Sequence, residues 1–252
     1  MQMASRLIQK DDPAPLKAQN RGGSSPHVLI CDHAGRAIPR RLGRLGLGDS
    51  AFERHIAWDI GAGAVAEGLG ERLDAVVLRQ AYSRLVIDCN RPLDEPSLIP
   101  EVSDGTPIAG NVGLTEKDRA ARIAEIFEPY HDAIAAVIDA RLAARRPVSV
   151  ISVHSFTPQM DGIDRPWSFG VLHGDDSELS VRVLDLLRRE SGLVIGDNQP
   201  YALGPQDHSI PCHAQSRGLD YLELEIRQDL IADEAGQAWA ADLLARVITA
   251  SG

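Results

Sequence analysis

The sequence predicts an α/β fold, a three-layer α/β/α domain built on a mixed, mostly parallel central sheet. Three observations lead there. The unbroken apolar run at residues 28–31 and the largely apolar run at 148–153 suit strands buried on both faces. Such runs alternate with stretches of helical apolar spacing, as strand–helix–strand units require. Both runs also end at a histidine, His33 and His154, where open α/β sheets gather their chemistry.

Residues 1–26 are polar and carry no apolar period, so a flexible N-terminal arm is expected ahead of a single domain over 27–252. After the first core strand, Phe52, Ile56, Ile60, Val65, Leu69 and Leu73 predict one long amphipathic helix carrying Trp58 and Asp59. Gly61, Gly63 and Ala66 match the dinucleotide form G-x-G-x-x-A, but no convincing strand precedes them and no acid follows at the right distance. Their small size reads instead as room for close helix packing. Residues 75–78 and 85–87 read as short strands, and residues 90–114, rich in Pro, Asp and Gly, as a long loop serving a site. Thr115 and Asp118 form a capping-box pattern that opens a helix to about residue 144, kinked at Pro129. Strands at 168–172, 193–195 and 220–226, helices at 178–190 and 234–249, and a second polar loop at 197–217 complete the pattern.

A formal net charge of −10 disfavours nucleic acid and anionic membrane surfaces as partners and favours a small molecule. No stretch approaches the roughly 18–20 apolar residues of a membrane span, and the N-terminus has no signal-peptide core. A cytoplasmic protein is expected. Cys31, Cys89 and Cys212 lack paired spacing, which argues against a disulfide framework or a cysteine-rich zinc site.

Two strand-end histidines favour a metal centre, because neutral imidazole is a common zinc ligand. A catalytic zinc takes three protein ligands and keeps one position open, so a carboxylate should join His33 and His154. Asp59 is preferred over Asp32, which would point to the opposite face of a continuing strand. The alternatives are a loop-capping role for His33 and a solvated or capping acid at Asp59. In the last strand, alternation puts Leu222, Leu224 and Ile226 on one face and Glu223, Glu225 and Arg227 on the other. Either this is an edge strand with a wet face, or Glu225 is a general base with Glu223 as its neighbour. Arg91 with Asn90 suits a substrate carboxylate, whereas Arg84 and Asp88 suit a structural ion pair as well. His208 and His213 are candidates to line the site; His55, His131 and His173 read as core or surface residues.

Six blocks in order resemble the N-formylglutamate amidohydrolase family: Cys31-Asp32-His33-Ala34, His55-Ile56-Ala57-Trp58-Asp59, Ser83 through Pro92, Ser152-Val153-His154-Ser155-Phe156, Gly196 through Tyr201, and Glu225 through Ile231. The resemblance spans about residues 27–248. It implies a phosphorylase/hydrolase-like fold similar to the zinc exopeptidases and aspartoacylases, and a metal-dependent amidohydrolase acting on the linear C–N bond of an N-formyl or small N-acyl amino acid. An N-formyl-L-glutamate-like substrate would give formate and the free amino acid. By that likeness His33 and His154 hold Zn2+, Asn90 and Arg91 hold the substrate carboxylate, and Glu225 is the base. Arg84, Glu223, Arg227 and His213 are expected around the substrate. The carboxypeptidase pattern has a glutamate three residues after its first ligand histidine, but Arg36 stands there, so the carboxylate ligand must be Asp59 or Asp32. The competing readings are a metal-free protein that binds an acidic ligand and a zinc peptidase or amidase with a different substrate. Oligomeric state is left open.

Overall fold

A computed structural model of the chain describes residues 6–252. Seven strands form one sheet: β1 (Leu16–Gln19), β2 (His27–Cys31), β3 (Val76–Gln80), β4 (Ser149–Phe156), β5 (Phe169–Leu172), β6 (Ile195–Asp197) and β7 (Asp220–Arg227). Their order is β1-β3-β2-β4-β7-β5-β6. The β3–β2, β2–β4, β4–β7 and β5–β6 pairs are parallel, and the β1–β3 and β7–β5 pairs antiparallel. The helices are α1 (Ala62–Leu73), α2 (Glu116–Arg122), α3 (Glu128–Ala143), α4 (Glu178–Leu187), α5 (Ser209–His213) and α6 (Glu234–Ser251).

Alternation along the strands supplies both cores. Leu29, Val77, Ile151, Leu222 and Leu224 pack under α1, α4 and α6, while Val28, Ile30, Val76 and Val150 face α3 and α5. This is the expected three-layer α/β/α arrangement. β7 is not an edge strand; it lies between β4 and β5, which buries Glu223 and Glu225 and removes the wet-edge reading.

Four local expectations change. The segment before residue 27 is not a loose arm over its described part: Leu7 is buried, the Leu7 and Ile8 N–H groups donate to Glu125, and β1 pairs with β3. Its polarity misled because the segment is held through backbone groups; residues 1–5 lie outside the described residues. The helix expected from Phe52 begins only at Ala62. Gly61, at φ +81°, breaks it, and a Cβ there would lie 2.2 Å from the Ile231 carbonyl oxygen. Phe52 and Ile56 are buried as the spacing implied, yet Asp59 sits in a loop. Residues 85–87 form a buried turn rather than a strand, where the Ser83 hydroxyl accepts the Leu85 N–H and donates to the Ala57 carbonyl. Residues 90–114 contain short 3-10 turns and a small hairpin, pinned where Asn111 donates to the Leu85 and Pro100 carbonyls.

Other readings hold in detail. Thr115 and Asp118 form the reciprocal capping box. The irregularity expected at Pro129 is a π-turn over Ile123–Phe127 just before α3. A Cβ on Gly63 would lie 3.0 Å from Ala34 Cβ, so the small residues at the start of α1 do permit close packing, there against the loop after β2.

Candidate metal and substrate site

The C-terminal ends of β2, β4 and β7 open into a cavity of about 570 Å³, roofed by the two long loops. Asp59 Oδ2 lies 3.3 Å from Nδ1 of His33 and 3.0 Å from Nδ1 of His154, and it accepts the Ser155 backbone N–H at 3.2 Å. His33, Asp59 and His154 each offer a ligand atom within 4.8 Å of the others. The opposite ring nitrogens have separate partners: His33 Nε2 is 2.6 Å from Asp88 Oδ1, and His154 Nε2 is 2.9 Å from Ser152 Oγ and 3.5 Å from Asp32 Oδ2. Each imidazole therefore aims Nδ1 at Asp59 and is braced behind through Nε2, as metal-ligating histidines are. Asp32, whose Oδ1 accepts the Ser209 hydroxyl at 2.8 Å, stands on the far side of His154 from Asp59.

Two imidazole nitrogens and one carboxylate oxygen, all buried, fit a zinc-type ion with one position left for another ligand. The charges fit as well. Burial and Arg84 push the His33 pKa down, but Asp88 and Asp59 outweigh them and leave it raised. Burial likewise opposes protonation of His154, yet Asp32 and Asp59 hold it well above the ordinary value. Burial works against an ionised Asp59, but both histidines keep its pKa low. This is a place that attracts positive charge. A dication would replace the imidazole protons there.

Glu225 lines the cavity at 7% exposure, and its Oε2 has no hydrogen-bond partner. Burial raises its pKa to about 7. It is thus a carboxyl group able to gain and lose a proton near neutrality. Arg84 donates Nε and Nη2 to Asp88 Oδ2 at 3.0 and 2.7 Å and lies 3.5 Å from Asp59. It therefore binds the centre together as the ion pair that was one of its two sequence readings. Asn90 is fixed by accepting the His208 and Ser209 N–H groups at 3.0 and 2.9 Å. Arg91 donates to the Asn90 and Gln206 carbonyls and lies 3.5 Å from Asp207.

The structure brings His33, Asp59, Arg84, Asn90, Arg91, His154, Glu223 and Glu225 to one cavity, adds His55, which the sequence read as a core or surface residue, and leaves out Arg227, His208 and His213. Arg227, expected at the substrate, instead forks onto Asp229 at 2.8 and 3.2 Å and donates to the Pro166 carbonyl. The chain turns at the end of β7 and an acid two residues on captures its guanidinium. His213 is also corrected: it is buried between α5 and α3, with Nε2 2.9 Å from His131 Nδ1. His131 Nε2–H donates to the Cys89 carbonyl at 2.9 Å, so the pair braces the Asn90–Arg91 turn from beneath. Arg36 lies apart from the cavity, paired with Glu53. Sequence reasoning missed Asp88 as the brace for His33, Ser152 as the brace for His154, and Asp207 beside Arg91. Asp88 had a signal, an acid two residues before the Asn-Arg pair; Asp207 in its polar loop had none.

The profile of the N-formylglutamate amidohydrolase family matches residues 25–232. The chain belongs to that family. An Agrobacterium tumefaciens gene product of solved structure is 37% identical, with a TM-score of 0.94 and 98% of each chain covered. The N-formylglutamate amidohydrolase of Ralstonia eutropha JMP134 shares the fold at 21% identity, with a TM-score of 0.63 and coverage of 94% of this chain and 96% of that one. No curated protein sequence matches the chain. Family membership makes it an N-formylglutamate amidohydrolase-like hydrolase, for which a small-molecule substrate follows. Among the described residues no helix is long and apolar enough to cross a membrane.

Proposed function

We propose that the protein is a zinc-dependent amidohydrolase that removes a formyl or small acyl group from the nitrogen of an amino acid. The observation that carries this reading is the placement of Glu225, with a free buried oxygen, in the cavity that holds the His33–Asp59–His154 triad. When bound, zinc supplies Lewis acidity toward water and the amide carbonyl. Glu225 accepts the proton of the attacking water and delivers it to the leaving amide nitrogen. Asn90 and Arg91 orient the α-carboxylate through directional hydrogen bonds. Asp88 and Ser152 hold the two imidazoles in register, and the buried walls keep the exchange of protons away from bulk solvent.

Metal analysis and turnover of purified protein test the reading together. The wild type should carry one zinc per chain and hydrolyse N-formyl amino acids, and His33→Ala and His154→Ala should each lose the metal. Glu225→Gln should keep zinc while kcat falls about 10²–10⁴-fold. Stoichiometric zinc in both histidine variants would place the centre elsewhere.

A further inference from the structure

The loops that follow β4 and β6 meet at one pair of side chains. Tyr201, on the loop after β6, lines the cavity. Arg165, on the loop after β4, donates from Nη1 to its phenol oxygen at 2.9 Å and lies 4.9 Å from the centre of its ring. Arg165 is itself held. Its backbone N–H donates to the Pro158 carbonyl at 2.8 Å, and its Nη2 lies 3.0 Å from Met160 Sδ.

The backbone fixes Tyr201 beside Glu225. The Gln199 carbonyl, two residues before Tyr201, sits against Gly170 of β5 and Gly196 of β6, and a Cβ on either glycine would collide with it. Gly170 is the register partner of Glu225 on β7, and a Cβ there would also lie 3.3 Å from Glu225 Cβ. The turn is tied down on both sides: the Asn198 N–H donates to the Val171 carbonyl at 3.0 Å, and the His173 N–H donates to Asn198 Oδ1 at 2.9 Å. Tyr201 thus enters the cavity next to the carboxyl group assigned to proton transfer.

Its hydroxyl proton is uncommitted. The oxygen accepts from Arg165, and among the described residues no acceptor takes its hydrogen. The other hydroxyls at this end of the cavity are spent, Ser155 on the Ile60 carbonyl at 2.9 Å and Thr157 on the Gln159 carbonyl at 3.0 Å. Arg84 is occupied by Asp88. Burial and the Glu225 carboxylate raise the phenol pKa, so the hydroxyl keeps its proton through neutrality. A guanidinium bonded to the phenol oxygen draws electron density from it and strengthens the O–H as a donor.

We propose that Tyr201 is a catalytic hydrogen-bond donor: its hydroxyl, held by Arg165, donates to the carbonyl oxygen of the scissile amide as that oxygen gains negative charge. This rests on the amidohydrolase reading above. Glu225 serves the attacking water and the leaving nitrogen, so a group fixed beside it faces the same amide. A donor held in place before charge develops acts most strongly in the transition state. Arg165 is a positioning residue that acts through the hydroxyl.

The test is steady-state kinetics of the zinc-loaded full chain on N-formyl-L-glutamate, N-formyl-L-aspartate and N-formyl-L-leucine, with zinc content measured alongside. Tyr201→Phe should keep its zinc and hold KM within about twofold while kcat falls about 10–100-fold, somewhat less than for an oxyanion donor acting without a metal. Arg165→Met should lower kcat about 3–10-fold, and the double variant should be no slower than Tyr201→Phe, because the arginine works through the hydroxyl. Wild-type kcat in Tyr201→Phe, or a loss confined to KM, overturns this inference and leaves the hydrolase reading standing. Losses that multiply in the double variant overturn the role of Arg165. Where Tyr201→Phe fails to fold, wild-type kcat in Arg165→Met overturns the inference. A wild-type protein inert on all three substrates overturns the hydrolase reading and this inference with it.

Discussion

Asp88→Asn keeps the side-chain shape but removes a charge that four donors use. His33 Nε2 lies 2.6 Å from Oδ1, the Asn90 N–H donates to the same oxygen at 2.9 Å, and Arg84 donates twice to Oδ2. An amide has one acceptor oxygen, so either His33 or Arg84 loses its partner. A hydrogen bond to an ionised group contributes on the order of 1.5–3 kcal/mol. Loss of the brace behind a metal-ligating histidine lowers metal affinity about 10–100-fold, or roughly 1.4–2.7 kcal/mol, in the same range. Two effects compete in the variant. Without Asp88 the His33 pKa falls, because Asp88 is one of the groups that raise it, and easier loss of the proton favours metal in acid. Against that, the ring loses its anchor and the ion a nearby negative charge. Proton competition fades as pH rises, so the second effect should win at about pH 8. Competitive zinc titration against a chelating indicator reads the balance: affinity should fall about 10–100-fold at about pH 8, and by less at about pH 6. A folded variant with wild-type zinc affinity at the higher pH would refute the role assigned to Asp88.

Three further outcomes follow from the same geometry. Glu225 is a base only when ionised, and burial raises its pKa to about 7, so kcat/KM should climb with pH through about 7; a flat profile across neutrality would exclude it as the base. Arg91→Ala should raise KM for N-formyl amino acids about 10–100-fold with a smaller effect on kcat, and an equal loss on the corresponding amino-acid amides would show that it does not grip the carboxylate. His131 is lowered from 6.5 to about 4 by burial. Its depressed folded-state pKa means that its contribution to stability is complete above about pH 6.5 and is lost as pH falls to about 4, roughly 3 kcal/mol in all. Urea denaturation of His131→Phe should therefore show about that much less destabilisation on acidification than the wild type; parallel pH dependences would contradict it.

The sequence disclosed most of the sheet because β2 and β4 are short, largely apolar runs and β7 alternates apolar with polar residues. It disclosed His33 and His154 because the first follows β2 and the second stands near the end of β4. What it misassigned was backbone geometry inside apolar stretches. Leu85, Val86 and Ile87 are buried as their composition demands, but Ser83 and Arg122 satisfy a turn there instead of a ladder. Phe52 and Ile56 kept helical spacing without joining one continuous α-helix: Phe52 lies in a short 3-10 helix (Asp49–Glu53), and Gly61 and the loop before it take another path before α1 begins. At the site, alternation placed Glu223 and Glu225 correctly, since a central strand cannot slip register without exchanging its faces. It failed for Arg227, where the strand ends and a local acid decides the direction. His213 looked like a loop residue because the five-residue helix that buries it is too short to leave a period.

The N-terminal segment has a consequence for handling the protein. Its strand lies along the outer flank of β3, and the Tyr82 hydroxyl fastens the approach to it by donating to the Pro13 carbonyl at 2.6 Å. A parallel core strand stripped of that cover would present a row of unpaired amide and carbonyl groups, a template for pairing with another chain. Shortening the protein to begin at His27, as the composition of those residues invites, would thus replace a short polar edge strand, Leu16–Gln19, with the more apolar edge of β3. Loss of soluble yield would come from self-association there, with the catalytic end of the sheet untouched.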